Sequence, residues 1–498
     1  MFETAELGRK ATKQEFEKQE PELRASLLKA QFDLRNTRIP VMVLISGVEG
    51  AGKGDTVKRL HEWLDPRGLE TYSFGPVDSL TQEERERPPY WRFWQKLPQR
   101  GRIGILFGSW YTDPIVRRVQ GSIGKSRFDR ELARISFFEQ MLVEDGALIV
   151  KFWFHLSKKA QRKRLEKLEK DPKTRWRVTP TDWKLHKLYD EFSRVCERGL
   201  RRTDSGLAPW HIIEAVDDRY RDLTVGRTLL EALRRRLDSP APAAGPRVAA
   251  PTLAAPPTPD ASISILDRVD LTQKVSEQDY ERKLARSQAR LGRLARTAFE
   301  KGLSSVAVFE GWDASGKGGN IRRVTAAMDA RHYRVIPVAA PTDEERAHHY
   351  LWRFWRHIPR PGLVTIYDRS WYGRVLVERV EGFAREDEWM RSYLEINEFE
   401  QQLVDHGIVL MKFWIHLCQD EQLRRFKDRE QTAYKQHKIT DEDWRNREKW
   451  DAYETAVNEM VARTSTRDAP WTIVAGNDKK FARLQILDTF CDRLGQAL

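Results

Sequence analysis

Residues 306–320 read VAVFEGWDASGKGGN, and we take this stretch as the starting point for the rest of the chain. Its short apolar run, 306–309, predicts a buried strand, and the segment after the glycines has the amphipathic pattern of a helix. Between them, Gly311, Gly316 and Lys317 complete the G-x-x-x-x-G-K spacing of a phosphate-binding loop. Glycines let the backbone close around an anion, and the following helix presents the positive end of its dipole. The stretch therefore predicts a phosphate site.

The loop departs from its common form at the position of the metal ligand. Gly318 stands where a Ser or Thr hydroxyl usually reaches Mg²⁺, so the metal needs another ligand. Asp313 is the candidate, because a carboxylate among phosphate-binding groups repels the anion unless a cation or proton lies between them. The predicted phosphate-binding residues of this loop are Gly311, Ala314, Ser315, Gly316, Lys317, Gly318 and Gly319.

Length, charge and cysteines limit the possible classes of protein. A chain of 498 residues fits two or three domains, and its net charge of +13 indicates a polyanionic partner: nucleic acid, a membrane surface or a phosphate-rich substrate. The three cysteines have neither metal-ligand spacing nor an even disulfide framework. Because no signal peptide or bilayer-length apolar run is visible, we expect a cytoplasmic protein without a membrane partner.

The sequence contains an internal repeat. The loop lysine Lys53 corresponds to Lys317 at an offset of 264, and the later matches keep an offset of 261. We predict an N-terminal degenerate kinase-like domain (1–237), a Pro/Ala-rich linker (238–262) and a C-terminal catalytic kinase-like domain (263–498). The later matched pairs are Trp91 with Trp352, Trp110 with Trp371, Lys151 with Lys412, Trp183 with Trp444, and Trp210 with Trp471.

Both halves have the pattern of an α/β fold. A helical segment (12–36 or 276–301) precedes the strand before the loop (41–45 or 306–309). Short, near-continuous apolar runs separated by helical stretches are typical of a parallel sheet covered by helices on both faces. The phosphate site then lies at the carboxyl ends of the strands. The further predicted strands of the second half are 333–338, 363–367, 408–417 and 471–474.

A highly charged helical stretch, 421–448, follows the run 408–417, and the first half has a basic counterpart at 158–187. Such a stretch is either a solvated helix face or a helical lid whose arginines close over phosphates, and the sequence leaves both readings open. On the second reading, Arg424 and Arg425 bind phosphate.

A second group of candidate residues follows the run 363–367. Asp368 comes at the tip of this apolar strand, where nucleoside-triphosphate enzymes place a carboxylate that orients Mg²⁺. With Asp313 it forms the predicted metal-binding pair, and Arg369 could neutralise a transferring phosphoryl group. Arg374 follows as a candidate phosphate ligand, although an ion pair within its own helix is an equal alternative.

The first half lacks these residues. In the alignment of the two halves, Phe107 corresponds to Asp368, Gly108 corresponds to Arg369, and Glu49 corresponds to Asp313. We therefore predict that the second half is catalytic and that the first is structural or binds an anion without turnover. The aromatic residues at 352–355 are present in both halves, so we predict core packing for them rather than stacking on a nucleobase.

Several ordered motifs resemble the polyphosphate kinase 2 family. They are GWDASGKGG, APTDEERAHHYLWRFWRHIP, IYDRSWYGRVLVERV, FEQQLVDHGIVLMKFWIHL and EQLRRFKDRE. The resemblance covers most of residues 276–490 and, more weakly, the first half. It implies a fold similar to thymidylate kinase, with Asp313, Lys317, Asp368 and Arg369 as the catalytic residues and Mg²⁺ as the cofactor.

The resemblance also implies an activity. Two fused copies look like the subgroup that transfers a phosphoryl group from inorganic polyphosphate to AMP, forming ADP. A polyphosphate-dependent kinase acting on ADP or GDP, an ATP-dependent nucleotide kinase and a non-catalytic polyanion- or RNA-binding protein are the alternatives. No RNA-binding signature is present, so a nucleic-acid partner is not expected. Assembly into a homo-oligomer is a further expectation.

Overall fold

A computed structural model describes residues 1–239, 264–431 and 441–498. Nearly all of the predicted linker 238–262 lies outside the described residues. The described chain divides into two compact units, and each contains most of one copy of the repeat. The N-terminal unit comprises residues 1–81, 92–239 and 343–349, and the C-terminal unit comprises 82–91, 264–342, 350–431 and 441–498.

Strands and helices alternate through the first copy. In chain order they are α1 (Lys13–Leu34), β1 (Val41–Gly47), α2 (Lys53–Trp63), β2 (Leu69–Ser73), α3 (Gln82–Arg85), α4 (Trp91–Trp94), β3 (Ile103–Phe107), α5 (Thr112–Val119), α6 (Lys125–Glu144), β4 (Leu148–His155), α7 (Lys158–Lys170), α8 (Pro180–Lys187), α9 (Tyr189–Thr203), β5 (Trp210–Glu214) and α10 (Asp218–Asp238). Short 3-10 helices lie at Phe2–Ala5, Pro66–Gly68, Val77–Ser79 and Arg175–Arg177.

The second copy repeats this order. Its elements are α11 (Glu277–Glu300), β6 (Ser305–Gly311), α12 (Lys317–Thr325), β7 (Tyr333–Pro337), α13 (Asp343–Arg346), α14 (Trp352–Trp355), β8 (Val364–Asp368), α15 (Val377–Val380), α16 (Glu386–Asp405), β9 (Val409–His416), α17 (Gln419–Gln431), α18 (Asp441–Glu448), α19 (Trp450–Thr464), β10 (Trp471–Ala475) and α20 (Lys479–Ala497). Short 3-10 helices lie at Leu266–Arg268 and Trp371–Arg374.

Each copy builds one five-stranded parallel sheet. The strand order is β2-β3-β1-β4-β5 in the first sheet and β7-β8-β6-β9-β10 in the second. The strand before each glycine-rich loop is therefore central, and Val306, Ala307 and Val308 on β6 are fully buried. This burial on both faces is why β6 is almost wholly apolar. The prediction of two tandem α/β domains with parallel sheets is confirmed.

The helices that follow the two loops begin differently from several long helices of their units. Side-chain caps close the starts of α10, α11 and α20. In contrast, α2 and α12 begin after left-handed glycines, Gly52 and Gly316, with no side-chain cap. Their first amide groups thus have no side-chain acceptor and can bind an anion.

The aromatic residues at 352–355 are buried in the structure. Trp352, Phe354 and Trp355 are at most 6% exposed, which confirms the prediction that they pack in the core.

Within the described ranges, no helix is both long enough and apolar enough to pass through a membrane.

A buried lysine organises the core of each unit. Lys412 on β9 donates to Glu400 Oε2 at 2.7 Å, to the Tyr372 hydroxyl at 3.1 Å and to the Thr464 carbonyl at 2.7 Å. The other oxygen of Glu400 accepts hydrogen bonds from Trp371 Nε1 and the Tyr372 hydroxyl. Burial lowers the pKa of Lys412, and the Glu400 carboxylate opposes this shift. The network therefore joins β9, α16, α19 and the turn after β8.

The first copy contains the same network. Lys151 donates to Glu139 at 2.7 Å, to the Tyr111 hydroxyl at 3.2 Å and to the Thr203 carbonyl at 2.8 Å. Trp110 completes it by donating to Glu139 at 2.9 Å. The repeated Trp-Tyr pairs and Lys-Phe-Trp motifs of the sequence therefore preserve a scaffold.

Removing the lysine should destabilise the C-terminal unit strongly. Lys412→Met leaves the Glu400 carboxylate buried without its cation, and we expect a loss of about 3–5 kcal/mol in the free energy of unfolding. Urea denaturation of the full chain, followed by tryptophan fluorescence, measures this loss. Lys412→Met/Glu400→Gln removes both charges and should be more stable than the single variant. A single variant that loses less than about 1 kcal/mol would contradict the assigned role.

Candidate active site

The loop between β6 and α12 has the form of an anion cradle. Gly311 has φ +151°, and a Cβ there would lie 2.7 Å from the Ile415 carbonyl, so no other residue fits. Lys317, the first residue of α12, donates to the carbonyls of Gly311 at 2.7 Å and Trp312 at 3.3 Å. Burial lowers the pKa of Lys317, and nearby carboxylates, Asp313 first among them, oppose the shift. The lysine thus folds over the loop at the uncapped start of α12.

Two residues of this region have a strained backbone. Across the described ranges, Ala314 and Arg369 are the non-glycine residues with positive φ, at +59° and +64°. Left-handed backbone costs an L-residue about 1–2 kcal/mol. Their counterparts in the first copy are Gly50 and Gly108, with φ of +79° and +73°, which adopt it at little cost. The C-terminal unit therefore keeps side chains at two positions where glycine is easier to accommodate, and such strain is typical of functional sites.

Asp313 lies at the centre of a polar cluster. Its Oδ1 accepts from Arg369 Nη2 at 3.2 Å, and its Oδ2 accepts from Asn446 Nδ2 at 2.9 Å. The Tyr453 hydroxyl donates to Asn446 Oδ1 at 3.1 Å and so fixes the amide. Gln422 on α17 holds the Asp313 carbonyl at 3.2 Å. The sequence predicted Asp313 and Arg369 as site residues, and the structure brings them into an ion pair.

Asp368 reaches the same edge of the sheet through strand register. Asp368 is the last residue of β8 and pairs with Phe309 of β6. Phe309 precedes Gly311 by two residues, so Asp368 lies at the carboxyl ends of both strands. Its side chain is half-buried and makes no hydrogen bond or ion pair with the described part of the chain. Among those residues no cluster of three or more His, Cys, Asp or Glu could hold a metal. Mg²⁺ commonly uses one or two carboxylates, completed by water and substrate phosphates, so Asp313 and Asp368 fit it.

A buried acid lies beneath the site. Glu310, the residue before Gly311, is 5% exposed and accepts from Ser370 Oγ at 2.8 Å. Burial raises the pKa of the Glu310 carboxyl, while Lys317 and Ser370 oppose the shift. Glu310 links the end of β6 to the turn that holds Arg369. Sequence reasoning missed Glu310, although a lone acid inside an apolar strand beside the loop was a usable signal.

A small cleft opens beside these groups, and both apolar and polar side chains line it, as in small-molecule pockets. The Trp312 ring stacks on Trp450, with centroids 3.7 Å apart, and its Nε1 donates to His416 Nδ1 at 3.0 Å. Burial lowers the pKa of His416 to about 4, so the neutral ring accepts this bond at neutral pH. Among the residues that line the cleft are Glu310, Asp313, Arg369, Leu376, Trp414 and Tyr453.

The remaining predicted phosphate ligands have other partners. Arg425 is 2% exposed, and its guanidinium donates to Glu421 and to four backbone carbonyls, those of residues 314, 315, 476 and 477. All its donors are used, so it supports the loop backbone and has none left for phosphate. Arg424 is exposed and pairs with Glu421 and Asp428. Its contact with phosphate stays a prediction.

Arg374 is not among the residues that line the cleft. Its guanidinium stacks over the Tyr350 ring, 4.5 Å from the centroid, and pairs with Glu378 at 3.2 Å. The ion-pair alternative raised from the sequence describes these contacts. Gly318 and Gly319 have free space where a Cβ would lie, so the protein's own packing does not require glycine at either position.

The first loop keeps the backbone form and loses the acidic pair. Lys53 donates to the carbonyls of Gly47 and Val48, as Lys317 does in its own loop, and also pairs with Glu49 at 3.0 Å. Phe107 replaces the strand-end carboxylate. A Cβ on Gly108 would lie 2.2 Å from the Phe74 carbonyl, so this turn cannot hold an arginine. The structure thus agrees with a first copy without the metal-binding residues.

The comparisons with known proteins follow the same division. The family described as polyphosphate kinase 2 (PPK2) matches residues 10–239 and 274–497. The chain is 52% identical to a polyphosphate:AMP phosphotransferase of Pseudomonas aeruginosa, over 100% of this chain and 99% of the relative. It is 49% identical, with the same coverage, to a protein of that name from Pseudomonas syringae pv. tomato. A crystal structure of a polyphosphate kinase 2 from Pseudomonas aeruginosa PA01 matches with TM-score 0.88 at 49% identity, covering 100% of this chain and 99% of the other. The chain therefore belongs to the polyphosphate kinase 2 family.

Proposed function

We propose that this protein transfers a phosphoryl group from inorganic polyphosphate to AMP, forming ADP, and that the C-terminal unit performs the reaction. The observation that supports this most directly is the convergence of Lys317, Asp313, Asp368 and Arg369 at one edge of the second sheet. The relatives named polyphosphate:AMP phosphotransferase, which match over the full chain, support the choice of donor and acceptor.

Each site residue has a defined task in this reaction. The amides at the start of α12 and the Lys317 ammonium bind the phosphates and hold them in line with the attacking oxygen. Arg369 stabilises negative charge on the transferring group, because its guanidinium is permanently charged and already fixed by Asp313. Asn446 and Gln422 hold Asp313 in place.

Mg²⁺ is the cofactor that fits the two carboxylates. Asp313 and Asp368 would hold it, and when bound the ion supplies charge neutralisation on the phosphate oxygens. The Asp368 side chain makes no hydrogen bond or ion pair with a described residue, so its carboxylate oxygens are open to the ion. Because AMP must place its phosphate near the same residues, the cleft beside Asp313 and Arg369 is the acceptor site, and Trp414 and Leu376 form its apolar wall.

The donor and the acceptor can be tested together. Purified protein, AMP, Mg²⁺ and polyphosphate without ATP should yield ADP, measured by chromatography of the nucleotides. Asp368→Asn should lower the rate by about 100-fold or more, because the carboxylate that holds the cation is lost. AMP turnover only with ATP would show an ATP-dependent kinase. Preference for ADP or GDP in the same panel would reject AMP as the acceptor.

The two loop lysines should differ in effect. Lys317→Ala should reduce kcat for ADP formation by about 10²–10³-fold, since it removes a cation from the transferring phosphates. Lys53→Ala, the matched control in the first loop, should leave kcat within about threefold, because that loop lacks the acidic pair. Steady-state kinetics of both full-length variants make the comparison. Equal losses from the two substitutions would reject catalysis by the C-terminal unit alone.

The strained positions give a separate test. Ala314→Gly and Arg369→Gly each relieve about 1–2 kcal/mol of backbone strain, which offsets the extra chain entropy of glycine. We expect melting temperatures equal to or above that of the parent protein for both. Ala314→Gly should stay active, while Arg369→Gly should lose about 100-fold in kcat with its cation. If the Arg369→Gly variant kept the full kcat of the parent protein, Arg369 would have no role in catalysis.

A further inference from the structure

The charged segments that follow β4 and β9 differ between the two copies. Residues 158–187 contain twelve Lys and Arg and four Asp and Glu, a formal net charge of +8. The aligned residues 419–448 contain eight of each, a net charge of zero. The positive charge is thus concentrated on the copy that lacks the strand-end acid and arginine. If this segment only solvated a helix, we would expect no such difference between copies.

The cations of residues 158–187, which we name the basic surface, are largely free to bind a ligand. Most are exposed, and many make no side-chain hydrogen bond or ion pair with any described residue. Four of these unpaired cations lie along α7, a helix about 20 Å long, and form an extended row of positive charge. Examples of these unpaired cations are Lys159, Lys163, Lys167, Lys170, Arg175 and Lys184.

The basic surface is fixed beside the first phosphate loop. Gln161 on α7 donates to the Glu49 carbonyl at 3.1 Å, the same contact that Gln422 makes with Asp313 in the second copy. A Cβ on Gly50 would lie 3.7 Å from Arg164, which places α7 against the loop backbone. Arg177 reaches Asp55 at the start of α2. The row of cations therefore begins beside a loop of the same unit that keeps the backbone form of the second copy's anion cradle.

The chemistry of the surface favours a polyanion without bases. Inorganic polyphosphate has about one negative charge per phosphate along a flexible chain, and a row of lysines matches it without directional contacts. Single-stranded nucleic acid is bound through successive aromatic side chains on which bases stack. The basic surface has one largely exposed ring, Trp176, at 72%. Phosphate charge, rather than base stacking, is what these residues can recognise.

We propose that the basic surface of the N-terminal unit binds inorganic polyphosphate as a non-catalytic anchor for long donor chains. The proposal rests on the proposed function, since it assumes that polyphosphate is the donor. A long chain held at the anchor keeps its remaining phosphates near the protein, which raises their effective concentration at the catalytic unit. Tripolyphosphate has only three phosphates, so once it is held at the anchor it has no remaining chain to offer the catalytic unit, and it gains nothing from the anchor.

Charge reversal on one face of α7 tests the anchor. Lys163→Glu/Lys167→Glu/Lys170→Glu in the full-length protein should raise KM for long-chain polyphosphate on the order of tenfold, while KM for tripolyphosphate changes far less. Lys18→Glu/Arg24→Glu/Lys29→Glu on α1 is the matched control, since it changes the same number of exposed charges in the same unit. The control should leave both KM values unchanged.

Direct binding separates this proposal from the reaction itself. In the Asp368→Asn background, fluorescently labelled long-chain polyphosphate should bind, and the α7 triple variant should weaken its Kd on the order of tenfold at fixed salt. Unlabelled RNA should compete poorly with it. Equal Kd values for the triple variant and the control, or RNA that outcompetes polyphosphate, would overturn the anchor. If polyphosphate supports no turnover in the parent protein, the proposed function fails instead, whatever the binding result.

Discussion

The buried Lys412–Glu400 pair is the interaction on which the C-terminal unit depends. A charge at this depth is tolerated only because Glu400, the Tyr372 hydroxyl and the Thr464 carbonyl surround the ammonium. The same carboxylate also accepts from Trp371, so the network fixes the turn that immediately follows Asp368 and Arg369. The position of the reactive groups is therefore set from within the core.

The duplicated chain allows the scaffold to be separated from the site. Both copies keep the buried lysine network and the central strand, which hold each unit together, and both also keep the loop lysine. They differ where the backbone is strained. The second copy holds Ala314 and Arg369 at positive φ, and the first places glycine at both positions. Because the first copy folds with glycine at both positions, the fold itself does not require this strain, and backbone strain of this kind is typical of functional sites.

Much of the site could be predicted because its residues lie at the ends of strands. The spacing of Gly311, Gly316 and Lys317 predicted the loop, and Asp368 and Arg369 followed a recognisable strand. Asn446 and Tyr453 could not be found in this way. Asn446 on α18 donates to Asp313 across 133 residues of chain, and Tyr453 on α19 donates to Asn446 in turn; no local pattern marks either residue. The role of Arg425 also depends on its backbone partners, which the sequence does not reveal.

The sequence by itself determined the α/β class, the duplication, the phosphate loop and the absence of the strand-end acid and arginine from the first copy. These follow from periodicity, spacing and residue identity, which are local or repeated properties of the chain. Only the tertiary structure decided which arginines face the cleft. Arg369 does and Arg425 does not, because a guanidinium binds whichever acceptors the fold brings within reach, and those acceptors come from distant segments.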